Sequence, residues 1–180
     1  MSRIGVLGIG NVLMGDDALG PWVIKVLEAE YEPAPGVDLV ELGTPGADLS
    51  LHLEGLDAAV VVDAVRTGGA PGEVSLLDRA QLLAGRPVTP GGPHDPGLRE
   101  ALFTLDFGGR GPRDVRLVGV VPQAVRMAVG LSAPVREALP AAVEAVVAQL
   151  SDLGVPLRRR ATARAPDVWW ERPGSTERPR

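Results

Sequence analysis

Between Arg3 and Leu150, short apolar runs alternate with segments of helical period. The runs Arg3 to Ile9, Asp38 to Leu42, Ala58 to Val62 and Val115 to Val121 are rich in β-branched residues and nearly continuous. That pattern belongs to strands covered on both faces of a parallel sheet. Leu19, Val23, Val26, Leu27 and Tyr31 recur at helical spacing, and so do Val135, Leu139, Val143, Val146 and Leu150, which predicts two amphipathic helices. Pro140 falls inside the second, where it removes a backbone hydrogen bond and predicts a kink. Shorter helices are predicted over Gly46 to His52 and Gly97 to Phe107. Glu73 to Leu77 follows the turn Gly68 to Gly72, which is too short for a helical crossover, so this run is expected as an antiparallel edge strand. Helices on both sides of a mostly parallel, twisted sheet make a three-layer α/β/α sandwich.

Composition narrows the class. The chain has 180 residues, 45% of them hydrophobic, enough for one sizeable core, with no repeat and no internal linker. Residues 1–156 are therefore expected to form a single α/β/α domain. Cysteine is absent, which removes disulfides, thiolate metal clusters and a cysteine nucleophile, and suits a reducing compartment. No signal-peptide pattern opens the chain, and no run approaches the roughly 20 apolar residues that span a bilayer. The expectation is a cytoplasmic protein with no membrane partner.

Charge separates the end of the chain from the rest. From Leu157 onward there are seven Arg against Asp167, Glu171 and Glu177, a net +4, while the preceding residues carry 11 basic and 20 acidic side chains, a net −9. The acidic body argues against a nucleic-acid partner. Residues 157–180, with Arg158-Arg159-Arg160 and several prolines, show no hydrophobic period and are expected to be a flexible tail. Within it, Trp169-Trp170 reads as a pair of exposed aromatics; the alternative is that it docks on the body or on a partner.

Candidate chemistry starts where the first strand ends. Gly8-Ile9-Gly10-Asn11-Val12-Leu13-Met14-Gly15-Asp16-Asp17 is a glycine-rich turn that delivers two adjacent carboxylates. In a sheet of this kind, ligands bind beyond the carboxyl ends of the strands, where the strand order reverses. Asp63, directly after Ala59 to Val62, and His94, in the Pro- and Gly-rich loop Thr89 to Gly97, are predicted to reach the same crevice. Two carboxylates and an imidazole suit a divalent transition ion such as nickel, zinc or manganese. Each residue also has an ordinary reading. Asp16 or Asp17 would serve as a helix cap and Asp63 as a turn or cap residue, while His94 would be a surface residue and His52, on a predicted helix, a structural one.

Two other site types fit less well. Gly8-Ile9-Gly10 resembles a dinucleotide fingerprint, but Leu13 occupies the third glycine position and two carboxylates face the place of a phosphate. A P-loop is excluded because Gly-Lys-Ser/Thr is missing and Lys25 is the only lysine. No serine sits in a nucleophile elbow.

Taken in order, Gly8-x-Gly10-Asn11-x-Leu13-x-x-Asp16-Asp17-x-x-Gly20, Val62-Asp63-Ala64, His94-x-x-Gly97-Leu98, Val118-Gly119-Val120-Val121-Pro122 and Gly130-Leu131-Ser132 resemble the hydrogenase maturation endopeptidases. The likeness extends from about Arg3 to Leu150. It implies an enzyme that removes a short C-terminal extension from the nickel-iron hydrogenase large-subunit precursor after nickel insertion. It further implies that Asp17, Asp63 and His94 are the metal ligands and carry catalysis, and that Asp16 is a structural neighbour. The nickel arrives with the precursor, and other divalent ions are expected to occupy the same site in vitro. Asn11 next to the turn is a candidate oxyanion donor or a turn stabiliser. Where the family often has Asp followed by Gly-Gly-Thr, this chain reads Glu41-Leu42-Gly43-Thr44, so Glu41 is a candidate for precursor selection or for a structural role. A monomer is expected. The alternative function is a non-catalytic nickel-checking chaperone that binds the same precursor.

Overall fold

Alternation decides where each strand's side chains go. The computed structural model describes residues 2–32, 34–84, 89–90 and 96–172. In β1 (Ile4–Ile9) and β3 (Ala58–Arg66), Ile4, Val6, Val60 and Val62 enter one apolar cluster, while Leu7, Ile9, Val61 and Val65 enter another. A run that is continuously apolar in sequence thus feeds two cores, one on each face of the sheet. The first core is closed by α1 (Leu19–Glu30) and α5 (Ala133–Asp152), the second by α2 (Leu49–Leu53) and α4 (Pro96–Phe107). This is the expected three-layer α/β/α arrangement.

The strands run in the order β2 (Val37–Gly43), β1, β3, β6 (Asp114–Val120), β4 (Val74–Asp78). All neighbours along this path are parallel except β4, which pairs antiparallel with β6 at the edge, where the run from Glu73 was expected. A two-residue strand β5 (Thr89–Pro90) pairs antiparallel with Val65 and Arg66. One helix was not anticipated. α3 (Arg79–Leu83) starts in a capping box, with Asp78 Oδ1 accepting from the Gln81 N–H at 2.8 Å and Gln81 Oε1 accepting from the Asp78 N–H at 2.9 Å. The Asp-x-x-Gln spacing was a readable signal for it. α5 runs unbroken through Pro140 over 20 residues.

From β1 the chain passes through α1 on one face to β2, then through α2 on the other face to β3. The strand order therefore reverses at β1, and the carboxyl ends of β1 and β3 flank the crevice where such sheets bind ligands. No helix among the described residues is long and apolar enough to cross a membrane.

The expectation of a structureless tail from Leu157 fails for residues 157–172. The Arg158 carbonyl accepts from the Glu32 N–H at 2.9 Å, the Arg160 N–H donates to the Glu30 carbonyl at 2.8 Å, and the Arg164 N–H donates to the Ala29 carbonyl at 3.1 Å. Arg159 lies within 3.1 Å of Glu30 and 3.2 Å of Glu144, and Arg158 pairs with Glu32. The segment thus lays its cations on the acidic body and ends in a 3-10 turn, Trp169–Glu171. There Trp170 is 1% exposed and meets Trp22 edge-on at 6.1 Å, so its indole belongs to the α1/α5 core. Composition could not show this, because one buried indole outweighs the polar character of the residues around it. Trp170→Ala is expected to lower the unfolding free energy by about 3–5 kcal/mol in urea titration; a loss below about 1 kcal/mol would show that the segment lies outside the cooperative unit.

Candidate active site at the ends of β1 and β3

The start of α1 rests on the sheet by direct backbone packing. A Cβ on Gly20 would lie 2.2 Å from the Ile9 carbonyl oxygen and 2.6 Å from that of Val62. Only a glycine at this point lets the start of α1 rest directly on the ends of both β1 and β3. Gly10, at φ 138°, makes the opposite approach, since a Cβ there would fall 1.7 Å from the Asp17 carbonyl oxygen. The two close approaches bring the Asp16–Asp17 turn over the crevice.

Neither carboxylate caps a helix. The N-cap of α1 is Ala18, and the 3-10 turn Asp16–Ala18 has no side-chain cap. Asp16, 1% exposed, reaches across to the segment after β6. Its Oδ2 accepts from the Gln123 N–H at 2.8 Å, the Ala124 N–H at 2.9 Å and the Ser132 hydroxyl at 2.9 Å, and its Oδ1 accepts from the Ser132 N–H at 2.7 Å. A carboxylate has about four acceptor sites, so Asp16 is saturated. Asp17, 4% exposed, accepts from the Asn11 N–H at 2.8 Å through Oδ2. That single described bond fixes its orientation and leaves acceptor capacity for a ligand. Two neighbouring carboxylates thus have different surroundings, one fully bonded as a clamp and one with acceptor capacity to spare.

Asn11 also closes its own turn, its Oδ1 accepting from the Leu13 N–H at 3.0 Å. The turn-stabilising reading is the one this geometry supports.

Asp63 stands in β3 opposite Gly119 of β6 and is half-buried, and its Oδ1 accepts from the Ala64 N–H at 2.7 Å. It shares the sheet face of Val61 and Val65 and borders a pocket of about 20 Å³ with Ile9, Gly46, Leu49 and Leu98, room for about one water. The start of α4 reaches this pocket through Leu98, and a Cβ on Gly97 would lie 3.4 Å from the Gly46 carbonyl oxygen. His94 lies outside the described residues. Among those that are described, no three acidic or imidazole groups gather as a metal centre.

Glu41 stands in β2 beside Gly8, and its Oε2 is 3.5 Å from Lys25 Nζ on α1. Partial burial pulls the Lys25 ammonium down, but the hydrogen bonds and charges of Glu28 and Glu41 outweigh it, and its pKa rises above the ordinary lysine value. This places the Glu41 side chain on the α1 face of the sheet, opposite to Asp63. His52 is exposed in the last turn of α2. Sequence reasoning missed the role of Ser132, which gives Asp16 two of its four hydrogen bonds from more than a hundred residues away.

The model of the hydrogenase maturation protease family matches residues 21–149. The hydrogenase 2 maturation protease of Escherichia coli K12 is 34% identical over 156 residues, covering 85% of this chain and 93% of that one. The hydrogenase expression/formation protein HupD of Rhizobium leguminosarum bv. viciae is 32% identical over 159 residues, or 88% and 79% of the two chains. Among solved structures, the hydrogenase maturating endopeptidase HybD from E. coli superimposes with a TM-score of 0.81 at 33% identity, over 88% of this chain and 98% of that chain.

Proposed function

The chain belongs to the hydrogenase maturation protease family, and from that membership we propose that it cleaves the C-terminal extension from the large-subunit precursor of a nickel-iron hydrogenase once nickel is in place. The observation that carries the reading is the division of labour between the adjacent carboxylates. Asp16 is saturated, whereas Asp17, equally buried, has one described hydrogen bond and lies in the turn after β1, the strand that pairs with the one carrying Asp63. A buried carboxylate with open acceptor sites is costly unless a cation or a proton donor meets it.

In this reading nickel is part of the substrate, and Asp17, Asp63 and His94 hold it. Two carboxylate oxygens and one imidazole nitrogen form a donor set suited to a divalent ion of that kind, and another divalent ion would take the same place in vitro. The nickel supplies Lewis acidity at the scissile bond. The protein's own residues do the rest. The Asn11 N–H aims Asp17 and the Ala64 N–H aims Asp63, so neither carboxylate has to reorganise as the precursor docks. A water oxygen bonds to the scissile carbonyl carbon, one carboxylate takes its proton, and that proton passes to the amine as the carbon–nitrogen bond breaks. Glu41 belongs to precursor selection, with Lys25 holding it at the end of β2. The acting form is a cytoplasmic monomer.

The test is a mass measurement on purified precursor, nickel-loaded and nickel-free, incubated with wild-type protein, Asp63→Asn and His94→Ala. The expected result is loss of one discrete C-terminal fragment with wild type and nickel-loaded precursor alone. Tight binding of the nickel-loaded form with no shortening would leave a nickel-checking chaperone in place of a protease.

A further inference from the structure

Beside Asp17 stands a short ribbon whose outer side chains are apolar and exposed. The turn after β1 and the segment after β6 are joined by a parallel bridge between Met14 and Ala128 and an antiparallel one between Gly15 and Val125. The Gly15 N–H donates to the Ala128 carbonyl at 2.8 Å and the Ala128 N–H to the Leu13 carbonyl at 3.0 Å. One residue before the parallel bridge on each side come Leu13, 47% exposed, and Met127, 88% exposed, and Val129 one residue after it is 43% exposed. Leu51, Leu76 and Trp169 are also exposed, each on a separate element, and Phe103 and Phe107 are exposed on α4, where Arg99 covers the Phe103 ring; single exposed apolar residues are ordinary.

Two features set the ribbon apart. It is pinned, because the four hydrogen bonds of Asp16 fasten the segment after β6 to the turn after β1. It is also continuous with the candidate active site. Asn11 bonds Asp17 through its N–H and Leu13 through its Oδ1, so the apolar ridge begins two residues from the group that orients the carboxylate. A folded substrate that brings a metal to Asp17 comes close to the turn that carries Leu13. A rigid apolar surface binds with little ordering cost, and an exposed methionine adapts to the surface it meets.

We propose that Leu13, Met127 and Val129 form a docking ridge that binds an apolar surface on the folded body of the hydrogenase precursor, outside the extension that is cut. This rests on the reading that Asp17 lies at the cleavage site. Asp16 then has a second role, since it holds the ridge in register with Asp17 and couples docking to alignment of the scissile bond.

The experiment compares wild type, Met127→Ser and Leu13→Ser/Met127→Ser on nickel-loaded precursor, with kcat and KM measured separately and melting temperature as the check on folding. The double variant should raise KM about tenfold, as the loss of about 1.4 kcal/mol of binding requires, with kcat within about twofold. Met127→Leu should keep the wild-type KM, because it retains the apolar surface. An unchanged KM in both serine variants, with wild type active, would overturn the ridge and leave the proposed function standing. No cleavage by any form would overturn both. Sedimentation covers the remaining occupant: a wild-type dimer dispersed by the double substitution would give the ridge to a second copy of the chain and overturn the proposal.

Discussion

Asp17→Asn is expected to slow precursor processing about 10³-fold while changing the unfolding free energy by less than about 1 kcal/mol. The amide keeps an acceptor oxygen for the Asn11 N–H, so the local geometry survives. What disappears is the negative charge that would meet the precursor's cation and the oxygen that would accept a proton. Single-turnover cleavage of nickel-loaded precursor measures the rate, and urea titration measures the stability. Processing at the wild-type rate would remove Asp17 from the site, and a large loss of stability would mean that the carboxylate is structural after all.

The adjacent residue should behave in the opposite way. Asp16→Ala strips the acceptor from the N–H groups of Gln123, Ala124 and Ser132 and from the Ser132 hydroxyl. Leaving a buried donor unpartnered costs about 1–3 kcal/mol, and water entering the gap recovers part of it, so a net loss of about 4 kcal/mol is expected. The effect should be local before it is global. Amide exchange at positions 123, 124 and 132 should accelerate at denaturant concentrations where β1 and β3 remain protected. Uniform exchange with no change at those amides would show that the segment after β6 is held by other contacts. Any activity lost in this variant should follow the loosened segment and return in part at lower temperature, which distinguishes it from Asp17→Asn.

Together the two variants bear on how the site is made. The close backbone approach at Gly20 and Gly10 sets the height of α1 above the sheet. One carboxylate then meets the Asn11 N–H in the turn after β1, and its neighbour faces the segment after β6. Side chains of consecutive residues leave the chain in different directions in a 3-10 turn, so two identical residues reach different surroundings.

The layers, the four parallel strands, the antiparallel edge strand and the long helices were legible along the chain, because the periods of two and 3.6 are local properties of the backbone and the apolar positions follow them. The sequence also pointed to the carboxyl end of the sheet as the place of the candidate site, since Asp63 directly follows one apolar run, Asp17 follows the turn after another, and strand ends converge in such folds. The family likeness was legible for the same reason, as several short motifs in order along one chain. Three features depend on contacts between distant segments. By residue type Asp16 and Asp17 read alike and the resemblance made Asp16 a structural neighbour, but what Asp16 holds, more than a hundred residues away, appears only in the fold. The segment 157–172 read as a flexible tail until Trp170 was found beneath it against Trp22. Leu13 and Met127, far apart in the chain, are brought side by side by the bridge between Met14 and Ala128. In each case the deciding contact joins residues far apart in the chain, and no pattern along the sequence records which distant surfaces meet when the core closes.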